Sequence, residues 1–232
     1  MFVILEENRV IGRKKDEFEQ TYRQGWLKLQ DDPDLTLLWY FDVVHGTGPS
    51  YRVVTVTAIP DGAAFERVNQ RVADGDLSTW IAELDSCRYE SVSRVVTPMS
   101  WSPLRELPTN LADISENRQK TLYWYTRGWP QLTQEEYMKF LHERWYKPDE
   151  GVIDGGVAEV DAFFETVWGS GRKPEGIELA KIISIPKLQL LLQEDESMQM
   201  DWRADYLQSG LEVRDKWDTT LLRTSPWSPL GS

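Results

Sequence analysis

Apolar positions along this chain switch between a helical period and strict alternation, and the switches outline one pattern twice. Phe2 to Glu6 reads as a short strand. Lys15 to Leu29 reads as a helix with Phe18, Tyr22, Trp26 and Leu29 at helical spacing, ended by Asp31-Asp32-Pro33-Asp34. Leu35 to His45 and Tyr51 to Ile59 are rich in strand formers and flank Gly46-Thr47-Gly48-Pro49-Ser50, which predicts a hairpin. Pro60-Asp61-Gly62 opens a helix carrying Phe65, Val68 and Val72. A second helix after Gly75 carries Leu77, Trp80, Ile81 and Leu84, and a last strand runs from Tyr89 to Val96.

The second half repeats this order. It predicts a strand near Leu122 to Thr126, a helix near Gln134 to Tyr146 and strands at Val160 to Trp168 and Ile177 to Ile185. Helical segments between Lys187 and Val213 and a strand from Lys216 to Arg223 complete it. Trp101-Ser102-Pro103-Leu104 and Trp227-Ser228-Pro229-Leu230 close the halves 126 positions apart, and Arg88 with Arg214, and Ile59-Pro60 with Ile185-Pro186, keep that spacing. Phe41-Asp42 and His45 fall on Phe164-Glu165 and Trp168 at a spacing of 123, and Trp26 falls on Trp145 at 119. The spacing grows only where turn residues cluster, as a duplicated fold requires. Each half reads β-α-β-β-α-β, the split βαβ order of ferredoxin-like units. The expected division is a first repeat over 1–104, a linker over 105–120 and a second repeat over 121–232.

Each unit's helices cover one face of its sheet, so the other face must be buried elsewhere, and in a tandem chain the solution is sheet against sheet. Two such units resemble the dimeric α/β-barrel superfamily, in particular its fused two-repeat members of the NIPSNAP and EthD-like kind. The resemblance rests on element order, aromatic-rich second strands and the Trp-Ser-Pro tails. It implies an α+β fold in which two ferredoxin-like units form an intramolecular α/β barrel. Its members include cofactor-independent monooxygenases, polyketide cyclases, isomerases, lactone-handling enzymes, haem enzymes and small-molecule binders, and fold alone does not choose among them.

Composition narrows the partners. At 41% hydrophobic and 12% aromatic, the 232 residues can build packed cores. No uninterrupted run of 18 apolar residues predicts a membrane span. The N-terminal stretch lacks the basic region of a secretion signal, and Cys87 is the sole cysteine, so the expected location is cytoplasmic. A net charge of −12 disfavours nucleic acid and anionic membrane. A small apolar or aromatic molecule is the expected partner, with a homodimer as a further possibility.

Candidate chemistry follows from the strands. Asp42 and its counterpart Glu165 are carboxylates within apolar strands, where burial lifts a carboxyl towards general-base range; an ion pair with an arginine is the plain alternative. His45, at the lip of the glycine turn, can exchange protons near neutrality or simply be solvated. Arg52 and Arg94 lie inside strands, where a guanidinium can steady an enolate or phenolate, or pair with neighbouring acids. Trp39, Tyr40, Trp80 and Tyr89 in one half, and Tyr123, Tyr125, Phe163, Trp202 and Tyr206 in the other, are the aromatic set for a ligand pocket, against which core packing competes. The tail tryptophans read as locks on the neighbouring unit. No metal site and no cofactor is expected; His142 is the one formal axial ligand for haem, and a surface or capping role competes for it. Because His45, Arg52 and Arg94 fall on Trp168, Glu178 and Thr220, any chemistry belongs to one half. The expected function is a cofactor-independent enzyme acting by proton transfer on an apolar or aromatic, polyketide- or terpenoid-like molecule, of cyclase, isomerase or monooxygenase type. A non-catalytic carrier of such a ligand is the alternative.

Overall fold

The computed structural model describes residues 1–131, 133–146, 152–153, 156–169, 175–192 and 210–231. Repeat 1 contains β1 (Phe2–Val10), α1 (Lys15–Lys28), β2 (Thr36–Val43), β3 (Arg52–Ile59), α2 (Gly62–Asp74), α3 (Ser78–Asp85) and β4 (Arg88–Pro98). Repeat 2 contains β5 (Leu122–Pro130), α4 (Gln134–Phe140) followed by a π turn over Leu141–Trp145, and a short β6 (Val152–Ile153). Then come β7 (Ala158–Trp168), β8 (Gly176–Ile182), α5 (Ile185–Leu192) and β9 (Arg214–Thr224). Helix starts are set locally: the Asp61 carboxylate accepts from the Ala64 amide, and Thr133 with Glu136 forms a reciprocal capping box.

Repeat 1 orders its strands β4-β1-β3-β2 and repeat 2 orders them β9-β5-β8-β7, the ferredoxin-like arrangement in both. Antiparallel pairing of β2 with β9 and of β4 with β7 joins the sheets at both edges, closing an eight-stranded barrel with no exposed edge between them. Phe41 pairs with Thr224 as Phe164 pairs with Pro98, so the two closures are equivalent. Inside lies one core that draws on both repeats, including Val3, Leu5, Trp39, Phe41, Tyr123, Tyr125, Phe164 and Leu179. Two outer cores lie between the sheets and the helices, one per repeat.

The Trp-Ser-Pro tails cross from each repeat to the other. The Ser102 hydroxyl accepts from the Phe163 amide at 2.9 Å, and the Ser228 hydroxyl accepts from the Tyr40 amide at 3.1 Å. Leu104 donates its amide to the Asp161 carbonyl as Leu230 donates to that of Leu38. These matched bonds fix the correspondence of β2 with β7 at a spacing of 123. The segment between β4 and β5 packs along the second tail: Arg118 donates to the carbonyls of Pro226 and Ser228, and the Arg23 guanidinium donates to the carbonyls of Ile114 and Ser115.

Three expectations are corrected. β1 runs four residues beyond Glu6, to Val10, because alternation continues: Glu7 meets Arg94 and Arg127 in the barrel mouth, while Val10 joins the outer core. Ile59 closes β3 and is buried, whereas Ile185 opens α5 and is half exposed, so Ile59 corresponds to Ile182 and the shared Ile-Pro dipeptide is a coincidence. The helix expected to reach Tyr146 gives way to a π turn after Phe140. The helical expectation beyond Leu192 lies outside the described residues up to Gly210.

Candidate functional site

A cavity of about 320 Å³ opens at the end of the barrel where the two tails meet. Trp39, Tyr123, Asp161 and Lys181 line it, with Leu104, Pro108, Leu230 and Gly231 from the tails and the connecting segment. β5 and β8 place Tyr123 opposite Lys181 in register. β7 carries a bulge between Val160 and Ala162, and this turns Asp161 into the barrel beside Ala162. The Tyr123 hydroxyl donates to Asp161 Oδ2 at 2.5 Å. Gly231, at φ +94°, lets the second tail close over this pair; a Cβ there would lie 3.0 Å from the Tyr123 oxygen.

Electrostatics give these groups distinct roles. Burial pushes the Asp161 carboxyl above the ordinary carboxylate range, while the Tyr123 hydrogen bond and the Lys181 charge pull it back. Burial, reinforced by the Asp161 charge, pushes the Tyr123 phenol far up, so it stays protonated and serves as a donor. The result is a carboxylate held at one oxygen, a cation and a flat indole around one space. Such a set can remove a proton from a bound molecule and steady the charge that develops.

The opposite mouth of the barrel holds a second, interlocked set. Glu7 accepts from Arg94 at 2.9 Å, Arg127 at 3.0 Å, the Tyr125 hydroxyl at 3.1 Å and Arg52 at 3.3 Å. Arg94 also pairs with the buried Glu175, and Arg127 with Asp218. Three arginines balance three acids, so this set has the character of a lock between repeats; breaking one partner of it strands the rest.

The residues singled out from sequence are not gathered into one site. Trp39 and Tyr123 line the 320 Å³ cavity. Tyr125 and Arg52 belong to the opposite charged mouth. Asp42 faces outward and pairs with Lys15 on α1 at 2.9 Å. Its counterpart Glu165 faces a separate outer groove with Trp101, Gln134 and His142. His45 sits in the exposed turn beyond the end of β2. Tyr40 packs outward, its ring 4.8 Å from that of Trp227, and Trp80 donates its indole N–H to the Thr21 carbonyl. Phe163 packs 4.7 Å from Trp101, and Tyr89 is exposed on β4. His142 stacks on Trp101 at 4.8 Å. Trp202 and Tyr206 lie outside the described residues.

Asp161, Lys181, Glu7, Arg127 and Glu175 escaped the sequence reading. The available signal for Asp161 was its correspondence with Leu38 at the spacing of 123, an acid where the sister strand is apolar. Among the described residues no cluster of three metal-ligating side chains occurs, and no helix is long and apolar enough to cross a membrane.

No protein-family model matches the chain, and no curated protein does. Solved structures match it along its whole length. A protein assigned as a monooxygenase from Lactobacillus acidophilus NCFM superposes with a TM-score of 0.57 at 7% identity, covering 99% of this chain and 97% of its own. An anthrone oxidase-like protein gives 0.56 at 10% identity, covering 100% and 95%. A second protein assigned as a monooxygenase, from Fusobacterium nucleatum subsp. nucleatum, gives 0.53 at 11% identity, covering 99% and 95%. The fold they share with this chain is an α/β barrel, here built from two ferredoxin-like units in one chain.

Proposed function

We propose that this chain is an enzyme that oxygenates a small, apolar aromatic molecule without a bound cofactor, using the cavity beneath the tails. The observation that carries this reading is the Asp161–Tyr123 pair facing that cavity, with Lys181 and Trp39 on its walls. The descriptions of the full-length structural neighbours, two monooxygenase assignments and one likeness to an anthrone oxidase, support the same class of reaction.

Asp161 takes a proton from a CH₂ group whose carbanion is conjugated with a carbonyl, as that of anthrone is through its rings, and burial makes it a stronger base than a solvated carboxylate. Lys181 steadies the resulting enolate, and Trp39 packs against the flat ring system. The carbanion reduces O₂ and forms a C–O bond; protonated Asp161 returns its proton to the peroxide. Removal of the second C–H proton then breaks the O–O bond and expels hydroxide. The balance is R₂CH₂ + O₂ → R₂C=O + H₂O, with the substrate as the only reductant.

Anthrone tests the reading, with oxygen uptake and the absorbance of the quinone followed together. Wild-type protein consumes one O₂ per carbonyl formed, and Asp161→Asn loses about 10²- to 10⁴-fold in rate while still binding anthrone. Asp42→Asn and His45→Ala, which lie away from the cavity, retain the rate. Undiminished turnover in Asp161→Asn defeats the assignment of the base. Tight anthrone binding with no turnover in wild type favours the carrier instead.

A further inference from the structure

A groove of about 590 Å³ at the charged mouth is lined by Arg9, Val10, Gly12, Pro49, Ser50, Tyr51, Arg52 and Tyr89. Among the described residues no acidic side chain lines it, in a chain of net charge −12. Its two tyrosines are the most exposed large aromatics of repeat 1, Tyr89 at 70% and Tyr51 at 55%. Tyr51 has φ +57°, the one positive value at a non-glycine among the described residues. A bulky residue adopts that conformation only at a cost, and such outliers concentrate at binding sites. Here the strained backbone lays the Tyr51 ring over Gly12, where a Cβ would sit 2.9 Å from it.

The arginines have donors to spare. Arg52 spends Nη1 on Glu7, while its Nε is buried without a hydrogen-bond partner. Arg9 makes no ion pair among the described residues and lies over the Tyr89 ring at 5.7 Å. A buried, unpartnered guanidinium N–H is costly unless something accepts from it. The Nε edge of arginine matches a carboxylate. The matching positions in repeat 2 carry no such set: Trp129 stands for Arg9, and strand register puts Glu175, rather than the expected Glu178, at the position of Arg52.

We infer that this groove is a binding site for a planar aromatic carboxylate. The carboxylate accepts from Arg52 Nε and from Arg9, and the ring system lies against Tyr51 and Tyr89. This site is distinct from the cavity beneath the tails, which opens at the other end of the barrel.

Calorimetric titration of the full chain with 2-naphthoate, and with uncharged 2-naphthamide, tests the assignment. The carboxylate is expected to bind at least about tenfold more tightly than the amide. Arg52→Lys keeps a cation beside Glu7 but removes the Nε edge, and Arg9→Gln removes the second cation; each is expected to weaken naphthoate about tenfold and leave the amide unchanged. Tyr89→Ala weakens both ligands, and Asp161→Asn changes neither. Equal affinity for acid and amide, or unchanged naphthoate binding in both arginine variants, overturns the site. Loss of naphthoate binding in Asp161→Asn overturns it as well, because the ligand then occupies the cavity beneath the tails.

Discussion

At the end of the barrel where the tails cross, repeat 2 contributes Tyr123, Asp161 and Lys181, and repeat 1 contributes Val3, Leu38 and Ala58 at the matching positions. Strand register establishes the match: Val3 pairs with Ala58 as Tyr123 pairs with Lys181, and Leu38 and Asp161 offer their carbonyls to equivalent tail amides. The scaffold is common to both repeats, including a bulge in each second strand and a serine that caps it from the other repeat's tail. At the charged mouth the same axis relates Glu7 to Arg127, which pair with each other, and Arg52 to Glu175, opposite charges whose partners are Glu7 and Arg94. A fused chain can afford this divergence, since its halves need not remain self-complementary as in a symmetric dimer. One half has kept an apolar wall, and the other has placed ionisable groups against it.

The sharpest way to break this comparison is to give repeat 1 the acid of repeat 2. Leu38 is fully buried and its surroundings offer Val3 where Asp161 has a phenol, so Leu38→Asp strands a carboxylate and should cost about 3–5 kcal/mol in urea denaturation. Retained stability would mean that the two positions are not equivalent environments. Next in size is the contrast between the tails. Trp227 is buried against Tyr22 and Tyr40 and donates its indole N–H to Glu19 at 2.9 Å, so Trp227→Ala should cost about 3–5 kcal/mol. Trp101 remains partly exposed while stacking on His142 and Tyr146, and Trp101→Ala should cost less, about 1–3 kcal/mol. Equal losses would show that the tails lock the barrel symmetrically despite their different partners.

The architecture was legible because it is written in features that survive duplication: two periods of hydrophobicity, turn clusters and the repeated tails. The cavity was not, for a physical reason. Strict alternation along 160–168 puts Asp161 on the same face as Phe163 and Glu165, but the bulge at Val160/Ala162 adds a residue and turns Asp161 inward with Ala162 and Phe164. The same bulge in β2 sends both Leu38 and Trp39 into the barrel, and alternation alone separates them. Burial does raise the Asp42 carboxyl, as its apolar strand suggests, but Asp42 lies beyond the bulge on the face that α1 covers, where Lys15 reaches it and pulls it back. The aromatic residues read as a pocket in each half divide, among those described, between three cores, with Tyr89 on the surface, since both faces of each sheet are buried and aromatic residues serve either face. The Ile-Pro coincidence misled for a simpler reason: two letters carry less register information than the helix starts at Asp61 and Ser184, which keep the spacing of 123.

The smallest expected effect sharpens the comparison at Asp161 itself. Because burial raises its folded carboxyl above the ordinary value of 3.8, the folded protein holds this proton to higher pH than the unfolded chain does. The favourable contribution of the protonated group is complete below the unfolded pKa and is lost as pH rises through the folded one, where a charged carboxylate must be kept out of water. Asp161→Asn keeps an acceptor for the Tyr123 hydroxyl but carries no charge at any pH. Its stability relative to wild type should therefore improve as pH rises above the ordinary carboxylate range, measured as the difference in urea midpoints. Leu38→Asn, where Val3 stands in place of the phenol, provides no titrating group and should show a pH-independent loss. A flat difference for Asp161→Asn would mean that Tyr123 and Lys181 fully offset the burial of the acid, and the cavity would then hold an ordinary carboxylate, poorly matched to removing a proton from carbon.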